Sequence, residues 1–347
     1  MSPFSAPGVG KMASWLAPAR SAVIHNQILR AQLAVAKKNT QLRGPMSGTE
    51  RLQRKSYSDV VASLRRARTM DVRSLTSAQV DLRIGRIMDG YHTVVIKAQM
   101  NGLYRARKNH GDEPWQSVSD LWYRPASAVR ARGRFNEPGS SVFYACNRST
   151  GAIFEIHPSV GDVITLLVVR SKGPFADLDV AHIGLERSLA PEMGFVPSDR
   201  KLRTNPRFQG MLEHFGISKK WLAVDDFLSE MATTVFAPHE EQDKYKITNS
   251  IGRVLLKIPS VHALNYPSVA TGLVSLNLCL RPEVADQFFY PAEAWMIKVE
   301  EKKDRLDGLN QDGPFYRTTF IRKSEESQRD ARANSASGLS HPIACRD

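Results

Sequence analysis

Short apolar runs of strand length stand at both ends of the region after residue 114, and helical patterns lie between them. The runs are bounded by Gly, Pro and other turn-forming residues, as β-strands are, and cover residues 141–145, 162–169, 275–280 and 294–299. Residues 205–257 instead have the spacing of helices. Strands at both ends of one body with helices inserted between them predict an α+β domain over residues 115–322.

The chain before this body has a different pattern. Residues 1–48 begin with a stretch rich in Pro, Gly and Ser, and residues 20–38 place apolar side chains at helical spacing among basic ones. We expect a flexible basic arm with one amphipathic helix there, followed by a basic, mainly helical accessory region over residues 49–112. Residues 323–347, rich in Ser, Arg and Asp and poor in aromatics, are expected to be a disordered tail.

The positive charge of the chain is confined to its N-terminal third. The chain holds 48 Lys and Arg against 35 Asp and Glu, a net charge of +13, and residues 1–110 alone hold 19 basic and five acidic residues. The rest of the chain is therefore nearly neutral. A cationic segment on a neutral body indicates an electrostatic arm or a small accessory module, and solvated helix faces explain the same charges equally well.

Several classes of protein are excluded or disfavoured by what the sequence lacks. It has no run of 18 uncharged apolar residues, so a membrane-spanning helix is excluded, and we expect no secretory signal peptide. Cys146, Cys279 and Cys345 are few and far apart, which argues against a disulfide framework and favours a reducing, cytoplasmic compartment. No GxGxxG, GxxxxGK(S/T), GxSxG or HExxH motif occurs, and we expect no metal.

The residues that could carry chemistry form a series along the α+β body. Gly133 and Arg134 come first: a glycine lets the backbone approach a ligand, and the guanidinium beside it can fork onto a phosphate. Tyr144 and Glu155 follow, and Ser268 comes much later, after Tyr and Pro. Taken singly, an arginine in a turn or a glutamate on a short helix is more often a surface residue than a ligand.

In their order, these residues resemble the RES domain, a family named for an Arg, a Glu and a Ser that its members share. The landmarks are Trp122-Tyr123-Arg124, Gly133-Arg134-Phe135-Asn136, Tyr144, Ala152-Ile153-Phe154-Glu155, the segment 243–248, Tyr266-Pro267-Ser268 and Asn277 in the segment 277–282. The resemblance covers residues 120–300 and leaves residues 1–110 outside it. The separation between Glu155 and Ser268 is longer than usual, which indicates inserted helices near residues 190–240.

The resemblance implies a fold similar to that of ADP-ribosyltransferases, with a mixed pair of β-sheets and helices around a cleft that holds NAD. It implies that NAD is consumed as a substrate, by hydrolysis, by phosphorolysis with inorganic phosphate as co-substrate, or by transfer of ADP-ribose to a protein. Characterised members of the family are bacterial toxins, and many are neutralised by a helical antitoxin. An antitoxin protein is therefore the expected partner.

The resemblance also implies roles for individual residues, which agree with their chemistry. Cleavage of the bond between nicotinamide and ribose develops positive charge on the sugar, and the carboxylate of Glu155 is expected to stabilise it. Arg124 and Arg134 are expected to bind the pyrophosphate through their forked donors. Contacts to the nicotinamide, the ribose or the phosphates are expected from three further side chains, those of Tyr144, Ser268 and Asn277.

Other interpretations stay open. Tyr144 on an alternating strand can belong to the core, Ser268 can end a turn, and Asn277 can pair a strand edge. A catalytically silent body, with residues 1–110 binding nucleic acid, would explain the charge distribution. Residues 1–110 could also fold back over the cleft, dock a partner, or serve targeting or oligomerisation. Cysteines 146 and 279 are expected to be small buried residues rather than nucleophiles.

Overall fold

Helices surround a central β-sheet. The computed structural model of the chain describes residues 49–115, 117–189, 200–214, 216–234, 243, 245–273, 275–305 and 312–325. The α-helices of this part are α1 Thr49–Arg54, α2 Tyr57–Arg68, α3 Ser77–Met88, α4 Val118–Leu121, α5 Ser149–Glu155, α6 Leu185–Leu189, α7 Pro206–His214, α8 Lys219–Thr233, α9 Tyr245–Leu256 and α10 Pro282–Phe288. Its strands are β1 Val94–Met100, β2 Gly102–Lys108, β3 Phe143–Cys146, β4 Val163–Ser171, β5 Ala176–His182, β6 Ala263–Pro267, β7 Leu276–Leu280, β8 Phe289–Arg305 and β9 Asp312–Glu325.

The nine strands form one mixed sheet in the order β1-β5-β6-β7-β3-β2-β4-β8-β9. Strands β5 and β6 run parallel, and the other neighbours are antiparallel. The central pair, β2 with β3, consists of one register position, Tyr104 opposite Cys146, whereas β2 and β4 are paired along the whole of 102–108. The sheet is therefore two halves, β1-β5-β6-β7-β3 and β2-β4-β8-β9, joined by a single pair.

Side chains from both halves share one hydrophobic core. Leu103 and Leu167 of the second half lie in the same buried cluster as Phe143, Leu178 and Leu280 of the first. The opposite face of the first half is covered by helices, and its larger core contains Leu64 of α2, Ile84 of α3, Phe227 of α8, Ile251 of α9 and Leu264 of β6. Each such side chain contributes about 1.5–3 kcal/mol through burial, so helices and sheet depend on each other.

Helices α2 and α3, here called the N-terminal helix pair, are amphipathic and capped. Ser56 accepts a hydrogen bond from the amide of Asp59, and Thr76 forms a reciprocal capping box with Gln79. Their apolar residues recur every three or four positions and are buried: Val60, Leu64 and Ala67 in α2, and Val80, Ile84 and Met88 in α3. The basic side chains of these helices are exposed on the opposite face, in agreement with the alternative of solvated helix faces.

The prediction of a helical region over residues 49–112 is correct for its first part and wrong for residues 94–108. The latter form β1, which pairs with β5, and β2, which pairs with β4. The error arises because β2 places Arg105 and Arg107 on the same side as Leu103, where an alternating strand normally shows apolar residues. The sheet therefore begins at Val94 rather than after residue 114.

The α+β class is confirmed. The two sheets that the resemblance implies are present as the two halves of one hydrogen-bonded sheet. Helices α7 and α8 lie within the insertion expected near residues 190–240. The arm expected over residues 1–48, and residues 326–347 of the expected tail, lie outside the described residues. In the described part of the chain no helix has the length and apolar character needed to cross a membrane.

Candidate active site

Glu155 is the last residue of the short helix α5, which directly follows β3. The helix lies so close to β3 that a Cβ at Gly151 would be 2.3 Å from Sγ of Cys146, so only glycine fits there. After Glu155 the chain turns through His157, whose φ of 44° is in the left-handed region that ends helices. Close packing before Glu155 and a sharp turn after it fix the position of this carboxylate.

The carboxylate of Glu155 is held through one of its two oxygens. Ser268 donates its hydroxyl to Oε1 at 2.5 Å, and Nδ2 of Asn277 donates to the same oxygen at 2.7 Å. Among the described residues none donates a hydrogen bond to Oε2. One oxygen is thus anchored to the protein, and the other accepts no hydrogen bond from the described residues.

The sheet register brings the two anchoring residues to the carboxylate. Ser268 directly follows β6, and its side chain is fully buried. Asn277 lies in β7 opposite Tyr266 of β6 on one side and Cys146 of β3 on the other. Three residues predicted for the site from distant parts of the sequence, Glu155, Ser268 and Asn277, therefore meet at one point.

Residues 132–137, here called the arginine loop, are fastened to β3 by Tyr144. The phenol oxygen of Tyr144 accepts a hydrogen bond from the amide of Phe135 at 2.7 Å and donates one to Oδ1 of Asn136 at 3.0 Å. A Cβ at Gly133 would be 2.3 Å from the same Oδ1 and 3.2 Å from the phenol oxygen. The predicted glycine is therefore required for packing within the loop, and Tyr144 positions the loop.

Arg134 is directed to the end of helix α8. Its Nη1 donates to the carbonyl oxygens of Ala232 at 2.6 Å and Thr234 at 3.1 Å, and its guanidinium lies 5.8 Å from the ring centre of Tyr245. A cation at the C-terminal end of a helix satisfies free carbonyls and interacts favourably with the helix dipole. The structure thus gives Arg134 a local contact that the sequence did not predict, and its contact with phosphate stays a prediction.

Tyr266 lies between the arginine loop and Glu155. Its ring packs edge-on against Phe135 with centres 4.9 Å apart. Burial first, and then the charge of Glu155, raises the pKa of its phenol well above the ordinary value, while Arg134 acts in the opposite direction. The phenol is therefore protonated at neutral pH. Tyr266 belongs to a predicted motif but was assigned no role from the sequence, although its position two residues before Ser268 is a usable signal.

Three arginines, Arg105, Arg107 and Arg124, are here called the arginine cluster. Arg105 and Arg107 lie on the face of β2 that is turned away from α5. Nη1 of Arg105 donates to the carbonyl oxygen of Tyr144 at 2.6 Å, and Nη2 of Arg107 donates to that of Trp122 at 3.0 Å. Nε of Arg105 and Nε of Arg107 are buried without a hydrogen-bond partner within the described part of the chain. Two donors of cationic groups are therefore buried without a hydrogen bond to the described residues.

Burial and the neighbouring positive charges both lower the pKa of the two buried arginines. Burial, followed by the charge of Arg107, lowers the pKa of Arg105 to about 9, and burial, followed by the charge of Arg124, lowers that of Arg107 to about 10. Arg124 itself is exposed. Of the three, only Arg124 was predicted, because residues 105–108 were expected to belong to the helical accessory region and not to a strand.

The two cysteines beside the site are free, buried thiols, as expected. Burial raises the pKa of Cys146 to about 12 and raises that of Cys279 as well, so both are protonated at neutral pH. A protonated thiol is a weak nucleophile. Within the described ranges, no group of three or more His, Cys, Asp or Glu side chains is arranged to hold a metal ion.

The fold and the site define an α+β domain with one anchored carboxylate, Tyr266 between it and the arginine loop, and the arginine cluster on the opposite face of β2 from α5. Comparison with protein families matches residues 102–300 to the RES domain. The chain belongs to the RES domain family, whose members are NAD-related, toxin-like proteins. The match begins at the first residue of β2 and leaves α1, the N-terminal helix pair and β1 outside it. No curated protein matches the chain.

Proposed function

We propose that this protein is an enzyme that consumes NAD by cleaving the bond between nicotinamide and ribose, with Glu155 as the catalytic carboxylate. The observation that carries the proposal is the pair of hydrogen bonds from Ser268 and Asn277 to one oxygen of Glu155, which leaves Oε2 for the substrate. Membership of the RES family supports NAD as the substrate.

The proposed chemistry needs a fixed negative charge more than it needs an acid or base. When the bond from the ribose C1 atom to the pyridinium nitrogen breaks, its electron pair goes to the nitrogen and nicotinamide leaves as a neutral molecule. The positive charge moves from the pyridinium to the ribose. A carboxylate aimed at the ribose therefore stabilises the transition state more than the ground state, which is the condition for catalysis.

The ribosyl cation then needs a nucleophile, and three are compatible with the site. Water gives ADP-ribose after loss of a proton, inorganic phosphate gives ADP-ribose 1″-phosphate, and a side chain of another protein gives an ADP-ribosylated product. Each route has the same first step. The nucleophile therefore determines whether the enzyme is a hydrolase, a phosphorylase or a transferase.

The pyrophosphate of NAD is expected to bind arginine side chains. Arg134 and Arg124 were predicted for this role from the sequence, and we now add Arg105 and Arg107 because their buried Nε donors have no hydrogen-bond partner in the described structure. Guanidinium groups bind phosphates through two parallel hydrogen bonds. The hydrogen bond from Arg105 to Tyr144 places this cationic group next to the strand that holds the arginine loop.

The decisive experiment is incubation of the purified, folded protein with NAD, with and without phosphate, followed by chromatography of the products. Release of nicotinamide supports the proposal, and the second product identifies the nucleophile. Label from NAD that remains on a protein indicates transfer. Absence of nicotinamide release under every condition, from protein with a cooperative unfolding transition, would refute the proposal.

A free enzyme of this kind would exhaust the NAD of the cell that makes it. We therefore include in the proposal that the protein acts as a toxin, restrained by an antitoxin protein. Expression in a bacterial host should arrest growth and lower cellular NAD, and the Glu155→Gln variant should do neither at equal expression. Normal growth with undiminished NAD during expression of the wild-type protein would contradict this role.

The N-terminal charge favours a second candidate function, that of a nucleic-acid-binding protein with a silent RES-like body. Such binding rests on phosphate contacts and should weaken steeply as salt is raised. Full-length protein that shows no affinity for DNA or RNA at low salt would remove this candidate.

A further inference from the structure

Helix α9 lies along the arginine loop and holds it from one side. Nδ2 of Asn249 donates to the carbonyl oxygens of Gly133 at 2.7 Å and Arg134 at 3.0 Å. One turn further, Gly252 packs against Phe135. Asn249 and Gly252 are three residues apart and therefore share a face of the helix. The backbone of the loop is thus fixed to α9 as well as to Tyr144.

Arg253, the next residue of α9, connects the loop to the N-terminal helix pair. Its Nη1 lies 2.9 Å from Oε2 of Glu137 at the end of the loop, and its Nη2 is bonded to Asp81 of α3. The two carboxylates are held by separate nitrogens of one planar group. Only arginine has donors in a fixed fork that can bridge two acids in this way.

A second set of contacts joins the beginning of the loop to the same helices. Arg132 lies 3.6 Å from Asp243 and 3.9 Å from Glu137, and its Nη2 donates to Oγ of Ser77 in α3 at 3.4 Å. Asp243 pairs at 2.9 Å with Lys246, whose buried ammonium also donates to two carbonyls in the connection between α2 and α3. Both ends of the arginine loop are therefore tied to residues 72–81.

From these contacts we propose that Arg253 is a positioning residue, and that the N-terminal helix pair holds the arginine loop in place through the bridge Asp81–Arg253–Glu137. This inference rests on the proposed function for its catalytic consequence but not for the positioning itself. Asp81 and Ser77 lie outside the residues matched to the RES domain. The N-terminal helix pair, which precedes the residues matched to the RES domain, therefore helps to position a loop of that domain.

The test compares Asp81→Asn with Asp71→Asn. Asp71 is an exposed aspartate in the connection between α2 and α3 and pairs with no cation in the described structure. Asp81 is 41% exposed, so its variant should fold. We expect Asp81→Asn to raise amide hydrogen exchange in the arginine loop about threefold to tenfold, as local opening becomes easier, and Asp71→Asn to leave it unchanged.

Two further measurements separate positioning from a general loss of stability. Arg253→Lys keeps the positive charge but lacks the forked donors, so it should raise amide hydrogen exchange in the arginine loop as Asp81→Asn does. Asp81→Glu keeps the carboxylate and should retain the wild-type exchange rate. Higher salt should raise loop exchange in the wild-type protein by a larger factor than in Asp81→Asn, since the bridge in that variant is already broken.

The catalytic consequence is measured by determining KM and kcat for NAD separately. Asp81→Asn should raise KM about threefold to tenfold with little change in kcat, because the loop contributes to binding. Unchanged loop exchange in both Asp81→Asn and Arg253→Lys would overturn the inference. If loop exchange responds as expected but the wild-type protein does not cleave NAD, the proposed function fails and the positioning stands.

Discussion

The hydroxyl of Ser268 donates to Oε1 of Glu155 at 2.5 Å although 113 positions of sequence separate the two residues. The contact joins the end of β6 to the end of α5. Both residues stand where a regular element stops, so the carboxylate meets its donor at a junction of rigid elements. A charge held in this way needs little reorganisation when positive charge develops on a substrate.

Glu155→Gln removes the negative charge of the carboxylate while the shape of the side chain stays nearly the same. The amide oxygen can still accept from Ser268 and Asn277, so binding of NAD should persist, while the rate of nicotinamide release falls by about a hundredfold or more. Rates and NAD affinity should be measured on the same preparation. Glu113→Gln, at an exposed position, is the matched control. Near-normal turnover by Glu155→Gln would refute the assignment.

Ser268→Ala and Asn277→Ala should act together. Both side chains hold the same oxygen, so each single variant still leaves one anchor and should lose about tenfold or less in kcat. The double variant leaves the carboxylate without an anchor and should lose more than the product of the two single effects. A double-mutant cycle on kcat measures this coupling. Strictly multiplicative effects would mean that the two anchors work independently.

The arginine cluster should bind pyrophosphate before any chemistry occurs. Inorganic pyrophosphate is expected to raise the melting temperature of the wild-type protein, because a ligand that binds only the folded state stabilises it. Arg105→Ala should reduce this shift and raise KM for NAD more than it lowers kcat. Arg134→Ala should also raise KM, and in addition should lower the melting temperature because the end of α8 loses its cation. An undiminished pyrophosphate shift in Arg105→Ala would place the anion elsewhere.

Removal of residues 1–48 and removal of residues 1–110 should have opposite effects on folding. Removal of residues 1–110 takes away the N-terminal helix pair, β1 and β2, so no cooperatively folded protein is expected. Removal of residues 1–48 leaves every described element in place, and the melting temperature should be retained. An increase of NAD turnover after the shorter truncation would show that the arm inhibits the enzyme. A folded, active fragment lacking residues 1–110 would contradict the role of the two strands.

Asp225 of α8 should make stability depend on pH. Its buried carboxylate accepts hydrogen bonds from the amides of Gly184 and Leu185 and from the hydroxyl of Tyr91. Burial outweighs these donors and raises the pKa of Asp225 to about 7, from an ordinary value of 3.8. Between these pH values the folded protein keeps a proton that the unfolded chain releases.

Unfolding therefore releases a proton in this window, and stability should fall as the pH rises from about 4 to about 7, by at most about 1.4 kcal/mol per pH unit. Urea denaturation of the wild-type protein and of Asp225→Asn at several pH values measures the effect. The stability difference between them should shrink with rising pH and become constant above about 7. A difference independent of pH would show that Asp225 is ionised in the folded protein throughout.

The sequence predicted a set of residues that meet in the fold better than it predicted the sheet. Glu155, Ser268 and Asn277 were predicted from short motifs, and the register of β6 and β7 brings Ser268 and Asn277 to the carboxylate. Arg105 and Arg107 were missed because their strand has cations at inward positions, so its alternation of apolar and polar residues is hidden. The contact of Arg134 with α8 depends on a helix about 100 residues away, and no local pattern contains it.

The single pair between Tyr104 and Cys146 has a mechanical consequence. Because backbone hydrogen bonds join the two halves of the sheet at only one position, their attachment depends mainly on the shared hydrophobic core. Hydrophobic attachment weakens on cooling, whereas a hydrogen-bonded ladder does not weaken in this way. The two halves should therefore loosen relative to each other in the cold, while each half keeps its own ladder intact.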